Sequence, residues 1–199
     1  MIIGITGSSG AGKSTICEIL QKEYNVKIIN ADKIAKELSS RGSNYIKDII
    51  EKFGNDIVDE TGELRRKKLA EIIYNDAQKR KELNKCTFKY IRKEIEGQIN
   101  NALKGVTIII DAPLLFECEL EKLCDKVIGV ISKEELQIER IIKRDCLNYD
   151  EAKKRLNAQE KNEFYIEKCD VIIENNNDIA FIEKEIKKIA NKYRIDKIN

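Results

Sequence analysis

The chain opens with MIIGITGSSGAGKST, and this stretch limits the possible folds more than any other part of its 199 residues. Met1 to Ile5 form an apolar run typical of a buried strand, and from Lys13 the sequence has the character of a helix. Each glycine costs extra backbone entropy, so a glycine-rich segment between strand and helix is unfavourable for stability alone. The pattern therefore indicates a backbone that another group must approach closely.

The glycine-rich segment matches G-x-x-x-x-G-K-[ST] in full and lies in the strand-to-helix context that this motif requires. Backbone N–H groups of such a loop turn toward one centre and form an anion-binding nest, and the helix N-terminus adds partial positive charge. The lysine reaches the β- and γ-phosphates, and the serine hydroxyl can bind Mg²⁺. We therefore predict that the phosphates of a nucleotide bind at Gly7, Ser8, Ser9, Gly10, Ala11, Gly12, Lys13, Ser14 and Thr15, with Ser14 also a Mg²⁺ ligand.

Five apolar runs, several of them rich in β-branched residues, alternate with charge-rich helical segments. Continuous runs of this kind are typical of parallel strands that are buried on both faces. The alternation predicts an α/β fold with a doubly wound, five-stranded parallel sheet, as in P-loop nucleotide-binding proteins. The runs are Ile2–Ile5, Val26–Ile29, Val106–Ile110, Val127–Ile131 and Val171–Ile173.

One long stretch departs from this alternation. Residues 43–104 contain helical patterns and a turn signal at 59–62 but no convincing strand, so we expect a helical insertion there. Residues 148–163 are polar and charged, which suits a mobile lid, and we place the lid at about 140–163. We expect both to belong to a single domain over residues 1–199, a length that can bury a substantial core.

Acidic residues follow two of the predicted strands. In an open α/β sheet the carboxyl ends of the strands face the ligand, so Asp32 is a candidate to accept a proton from a hydroxyl and to help bind Mg²⁺. It could equally cap a helix over residues 33–38. Asp111 is a candidate to bind Mg²⁺ through water, or a strand-end acid satisfied by local N–H groups. Glu117 lies further along the same loop and is a further candidate.

Two arginines lie four residues apart in the segment after the fourth strand. Arg140 and Arg144 therefore project from one face of the predicted helix. They could clamp phosphates, or they could be solvated charges paired with acids such as Glu139. The residues alone favour the solvated face.

Composition excludes several classes of protein. There are 37 Lys and Arg against 35 Asp and Glu, so the net charge of +2 gives no argument for nucleic acid. No apolar run approaches the roughly 20 residues that span a bilayer, and we expect neither a signal peptide nor a membrane partner. The chain has no histidine and six scattered cysteines, which favours free thiols in a cytoplasmic protein and excludes zinc sites and Cys–His catalysis that need histidine.

From the first strand to Asn175 the chain resembles the bacterial dephospho-coenzyme A kinase family. The glycine loop is shared by many enzymes, but the ordered set of other matches is far more specific. These matches are Ala31-Asp32 with Ile34-Ala35, Phe53-Gly54, residues 62–69 (GELRRKKL), 113–117 (PLLFE), Leu136-Gln137, Glu139-Arg140, Arg144-Asp145, Ala158-Gln159 and Asp170-Val171-Ile172.

The resemblance implies an enzyme that uses Mg·ATP to phosphorylate the ribose 3′-hydroxyl of dephospho-coenzyme A. It implies that Lys13, Asp32 and Arg140 are catalytic, that Arg144 contributes to the nucleotide site, and that the helical insertion holds the coenzyme A end. No nucleic-acid partner is implied, and we expect a monomer or weak oligomer. The alternatives are another small-metabolite or nucleoside kinase, or a non-catalytic ATP-binding module.

Three departures from the family pattern are visible. Asn30 stands where the family usually has an aspartate, and Phe88-Lys89 replace a His-Pro pair. The loop sequence Gly-Ser-Ser-Gly-Ala-Gly at residues 7–12 replaces the usual Gly-Gly-Ile-Gly-Ser-Gly. None of these changes removes a residue expected to handle phosphate, and the second bears on the acceptor side.

Overall fold

The structure is a computed structural model that describes residues 1–40, 42–74 and 76–198. The chain forms two compact units. The first, the sheet unit, comprises Met1–Ile29 and the chain from Ala102 onward, and the second, the helical unit, comprises Asn30–Asn101. The helical unit thus begins before the helical insertion expected from the sequence, which started at residue 43.

Five strands form one sheet in the order β2-β3-β1-β4-β5. β1 pairs in parallel with β3 and β4, and β4 pairs in parallel with β5. The predicted doubly wound parallel fold is confirmed. The strands are β1 (Ile2–Thr6), β2 (Val26–Asn30), β3 (Thr107–Asp111), β4 (Lys126–Ile131) and β5 (Val171–Glu174).

Helices follow or separate the strands throughout the described part of the chain. Two short 3₁₀ helices lie at Asn55–Ile57 and Leu120–Leu123. The described helices contain no segment long and apolar enough to cross a lipid bilayer. The α-helices are α1 (Lys13–Glu23), α2 (Ala31–Leu38), α3 (Asn44–Phe53), α4 (Arg66–Tyr74), α5 (Ala77–Asn100), α6 (Glu134–Asp145), α7 (Tyr149–Asn157), α8 (Asn162–Lys168) and α9 (Ile179–Tyr193).

Branched aliphatic side chains build the core of the sheet unit. Ile3 and Ile5 of β1 are fully buried and belong to one cluster with Ile16 of α1 and Ile186 of α9. β3 is buried along its whole length, which explains why its sequence is a continuous apolar run rather than an alternating one. This core supports the carboxyl end of β1, where the glycine loop begins.

The helical unit has a separate apolar cluster. Ile46 and Ile49 of α3 pack with Leu69 of α4 and Leu83 of α5. Helices were predicted in this region from the spacing of apolar residues, namely Leu69, Ile72, Ile73, Leu83, Ile91, Ile95 and Ile99. α2 also packs on α5, which explains why the unit starts at Asn30, before the predicted insertion.

The predicted turn at residues 59–62 is confirmed and is held by one carboxylate. Asp59 Oδ1 accepts hydrogen bonds from the Thr61 N–H at 2.9 Å and the Glu63 N–H at 3.0 Å. The turn connects an antiparallel bridge between Val58 and Leu64, which the sequence had not predicted.

Candidate active site

The glycine loop lies between β1 and α1, as predicted, and its glycines are required by geometry. Gly12 has φ +98°, and a side chain there would collide with the amide of Asn175. Gly7 has φ +145°, and a Cβ would collide with the carbonyl oxygen of Val130. L-residues rarely adopt such backbone angles. The loop therefore lies close against the carboxyl end of β4 and the chain after β5.

The N-terminus of α1 has features of an anion site. Its N-cap, Gly12, has no side chain to bond the first N–H groups of the helix, and the first turn contains no acid. The Lys13 ammonium donates to the carbonyl oxygens of Gly7 at 2.5 Å and of Ser8 at 3.4 Å. A positive side chain and a helix N-terminus thus face the same loop, an arrangement that favours phosphate.

Arg140 reaches the loop from α6. Its guanidinium donates to the carbonyl oxygens of Gly10 at 3.1 Å and Asn175 at 3.0 Å, and to Ser132 Oγ at 3.2 Å. The side chain is half-buried. The interpretation of Arg140 as a solvated charge paired with a nearby acid is therefore wrong, because its guanidinium donates to oxygens of the loop and of the strand ends.

Arg144 lies one helical turn further along α6 and contacts the other half of the loop. Its Nη2 donates to Ser9 Oγ at 3.0 Å, while the guanidinium also forms a two-point ion pair with Asp145. This hydrogen-bonded pair lowers the pKa of the Asp145 carboxyl from its ordinary value. Arg155 of α7 shares the same carboxylate at 2.9 Å. Arg144 is therefore an exposed charge paired with an acid, as the residues alone favoured, but like Arg140 it also contacts the phosphate loop.

Three amide side chains that the sequence had not assigned a role also hold the loop. Gln137 Nε2 donates to Ser8 Oγ at 2.6 Å, and Asn175 Nδ2 donates to the carbonyl of Ala11 at 2.8 Å. Gln159 Oε1 accepts the Ser9 N–H at 2.6 Å. The sequence did offer signals for two of them: Gln137 and Gln159 lie in motifs shared with the family, and Gln137 is on the apolar face of α6, where a buried amide must find partners.

Asp111 is the last residue of β3 and lies at the carboxyl ends of the strands, where the glycine loop also begins. It is paired in register with Ile5 and is 8% exposed. Burial raises the pKa of the Cys17 thiol in α1, the Asp111 charge raises it further, and Lys13 lowers it. Both charges therefore act on the same part of α1, which is where the loop enters the helix.

The described residues contain no group of three His, Cys, Asp or Glu side chains that could enclose a metal ion. Mg²⁺ in phosphate-transferring sites is held by one or two protein oxygens together with water and substrate phosphates. A buried carboxylate at Asp111 and a first-turn hydroxyl at Ser14 fit that donor set.

Glu117 lies in the loop that follows β3. Partial burial raises the pKa of its carboxyl, and the neighbouring Glu160 and Glu121 carboxylates add to this effect. Together with Gly7 and Leu114 it borders a cavity of about 220 Å³. The cavity provides space for a ligand beside the start of the glycine loop.

Asp32 belongs to the helical unit and lies in the first turn of α2. The helix begins at Ala31, and its N-cap is Asn30, whose Oδ1 accepts the Lys33 N–H at 2.8 Å. The interpretation of Asp32 as the cap of a helix over residues 33–38 is therefore wrong. The Asp32 side chain is exposed and directly follows the end of β2.

Phe88 and Lys89, the pair that departs from the family pattern, lie on α5 beside an aromatic cluster. Tyr90 packs edge-on against Tyr45, with ring centres 5.7 Å apart. Its hydroxyl donates to Asp48 Oδ2 at 2.7 Å, and this bond raises the pKa of Tyr90 to about 12. The Lys89 ammonium lies 5.8 Å from the centre of the Tyr90 ring.

In this parallel sheet the first strand leads through the glycine loop into a helix that begins with the motif lysine, and two arginines contact the loop. This arrangement defines a P-loop kinase fold. Within that class, the family model for dephospho-CoA kinase matches residues 1–180, and the chain belongs to this family.

Individual relatives agree with the family assignment. The chain is 40% identical over 193 residues to the dephospho-CoA kinase of Fusobacterium nucleatum, covering 96% of this chain and 97% of the relative. A solved dephospho-CoA kinase structure from Campylobacter jejuni is 33% identical, with a TM-score of 0.70 and 96% of each chain covered. A Thermus thermophilus structure has a TM-score of 0.80, covering 96% of this chain and 97% of that one, but at 23% identity it supports the fold alone.

Proposed function

We propose that this chain is an ATP-dependent kinase that phosphorylates the ribose 3′-hydroxyl of dephospho-coenzyme A and so produces coenzyme A. The observation that carries the proposal is the family match over residues 1–180, which includes the sheet unit through the start of α9 and the whole helical unit. The glycine loop with Lys13 supports a nucleoside triphosphate as the donor.

The donor side of the proposal rests on the loop. Its backbone N–H groups from Gly7 to Thr15, apart from the Ser9 N–H that donates to Gln159 Oε1, would bind the phosphates of ATP. Lys13 would stabilise the charge that develops on the transferred phosphoryl group. Arg144 would add positive charge near Ser9. Arg140, which donates to the Gly10 carbonyl at 3.1 Å, would keep the loop in its binding geometry or turn toward the phosphates during transfer.

Asp32 is the proposed general base. Its carboxylate would accept the proton of the 3′-hydroxyl as the oxygen forms a bond to the γ-phosphorus and the bond to the ADP oxygen breaks. Because Asn30 already caps α2, the Asp32 carboxylate is not needed for the helix terminus. It is exposed and available for this role.

Mg²⁺ would be held by the Ser14 hydroxyl, with Asp111 acting through water and Asp32 as the further acid proposed from the sequence. When bound, the ion neutralises charge on the ATP phosphates. The residues from about 140 to 163, which include α7, would act as a lid that excludes water from the transferred phosphate.

The family and the composition support a proposal for the cellular setting. We place the enzyme in the cytoplasm as a monomer or weak oligomer, with no nucleic-acid or membrane partner. The six cysteines are free thiols in the structure, which agrees with a reducing compartment.

An ADP-release assay with a panel of alcohol acceptors tests the proposal. Dephospho-coenzyme A should be consumed with ATP, whereas nucleosides and other small alcohols should give only background ADP release. The matched control acceptor is 3′-deoxy-dephospho-coenzyme A, which lacks the attacking hydroxyl and should be inert. Preferred turnover of another acceptor would replace the proposed substrate, and ATP binding without turnover of any acceptor would favour the non-catalytic module.

A further inference from the structure

The two halves of the phosphate loop are held by different parts of the sheet unit. The second half, from Gly10, is held by Arg140 and by Asn175 after β5. Ser9, in the first half, is contacted by α6 and by the segment between α7 and α8. We call this segment, residues 158–161, the connector. This connector contact is the 2.6 Å hydrogen bond from the Ser9 N–H to Gln159 Oε1.

The connector is anchored on both sides of Gln159. The Gln159 N–H donates to the Leu156 carbonyl at 3.1 Å, which joins the connector to the end of α7. At the start of α8, Asn162 Nδ2 donates to the Ser132 carbonyl at 2.9 Å, which ties it to the end of β4. These tethers restrict the backbone of the connector, so that holding Gln159 against the loop costs mainly the rotamer entropy of its own side chain.

The contacted half of the loop is also the half along which Lys13 lies, since its ammonium donates to the carbonyls of Gly7 and Ser8. A lysine at this motif position reaches the β- and γ-phosphates. Gln159 itself borders the 220 Å³ cavity that Gly7 and Leu114 line. The Gln159 contact is thus at the end of the loop where the transferred phosphoryl group is expected.

We propose that Gln159 is a positioning residue for phosphoryl transfer, which it serves by fixing the Ser9 N–H and with it the Lys13 half of the loop. The proposal rests on the kinase function proposed above. It makes the α7–α8 connector part of the loop's supporting structure, so that the lid segment and the phosphate loop are joined by a side-chain amide.

Two substitutions remove the acceptor oxygen in different ways. Gln159→Met keeps the length of the side chain without a carbonyl, and Gln159→Ala removes the side chain. Misplacing a reacting group affects the transition state more than the bound ground state. We expect kcat to fall about tenfold in both variants, the size of one lost hydrogen bond, while the Kd for ATP changes by less than about twofold.

Asn191→Ala is the matched control, because Asn191 is an exposed amide on α9, outside the phosphate loop, the lid segment and the 220 Å³ cavity. It should retain wild-type kcat. Hydrogen exchange at the Ser9 amide, followed by NMR without nucleotide, provides a readout that does not depend on activity. Exchange should become faster in both Gln159 variants and remain unchanged in the Asn191 variant.

Unchanged kcat in both Gln159 variants would overturn the proposal. Tighter ATP binding would overturn it too, because Gln159 would then compete with phosphate for the Ser9 N–H. An equal loss in Asn191→Ala would show a general effect of removing an exposed amide and would also overturn it. Wild-type protein assayed alongside separates the two proposals, since a wild type without turnover of dephospho-coenzyme A contradicts the function rather than the role of Gln159.

Discussion

Two strand–helix junctions of this protein have the same order of elements but different chemistry. Between β1 and α1 the chain makes the loop 7–12, and the N-cap of the helix is Gly12, which has no side chain. Between β2 and α2 there is no loop, because the helix begins at Ala31, immediately after Asn30. Asn30 caps its own helix through a 2.8 Å bond to the Lys33 N–H.

The difference shows how one architecture provides two kinds of site. Every helix begins with N–H groups that lack partners within the helix. At α2 a local side chain satisfies one of them, so the terminus is a stable support from which Asp32 projects. At α1 no residue of the helix caps the terminus, and lysine and glycine make that terminus suited to an anion. The first junction is proposed to bind the donor, and the second to supply the base.

The largest expected effect comes from Asp32→Asn at the second junction. Loss of a general base typically costs about 10²–10⁴ in rate, while ATP binding should change little because the loop is intact. The variant should also remain as stable as wild type, since Asn30 provides the cap. Steady-state rates with dephospho-coenzyme A, nucleotide titration and thermal melting measure all three.

Glu37→Gln, an exposed change later in α2, is the control for Asp32→Asn and should leave the rate unaltered. A loss of less than about fivefold in Asp32→Asn, far below that of a lost base, would show that the second junction does not supply the catalytic carboxylate.

Lys13→Ala tests the first junction. Removing one preorganised contact to developing charge costs about 10²–10³ in kcat. The fold should persist, because the Lys13 side chain is only half-buried and its ammonium donates to loop carbonyls, where water can take its place. Lys22→Ala, at the exposed end of the same helix, should retain activity. Near-normal turnover of a folded Lys13→Ala protein, measured by ADP release and circular dichroism, would contradict the P-loop mechanism.

Asn30→Ala should have the opposite effect to Asp32→Asn, because it should lower the stability of the protein and leave its catalytic rate unchanged. Loss of an N-cap side chain costs about 1 kcal/mol, which urea unfolding can measure, and kcat should remain near wild type. Asn30→Asp, which introduces the residue usual in this family, should restore the stability because aspartate also caps well. An unchanged unfolding midpoint in Asn30→Ala would mean that α2 does not depend on this cap.

The smallest effect is a contrast in thiol reactivity that reports on the packing of α1. Cys17 is buried, and burial together with the Asp111 charge raises its pKa. The thiolate is the reactive form, so a thiol-reactive dye at neutral to mildly alkaline pH should modify exposed Cys146 and leave Cys17 unmodified until the protein unfolds. Peptide mapping identifies the labelled site. Rapid native labelling of Cys17 would show that α1 packs loosely on the sheet.

Much of the fold could be predicted because its signals are local. The five strands follow apolar runs, and the glycine loop follows a contiguous motif. Boundaries shifted slightly: β3 runs from Thr107 to Asp111, although the apolar run was 106–110. Hydrophobicity marks burial, whereas the strand ends are set by pairing with β1, which reaches Asp111 through its partner Ile5.

The sequence by itself determined that a phosphate loop exists, because Gly7, Gly12 and Lys13 act through backbone angles and spacing within one short segment. Only the tertiary structure decided what holds that loop. Gln159, Gln137 and Asn175 lie 150, 129 and 164 residues from the loop atoms that they bond. No local pattern encodes such pairs, since a side-chain amide acquires its partner only when the strands and helices have packed and buried polar groups must be satisfied.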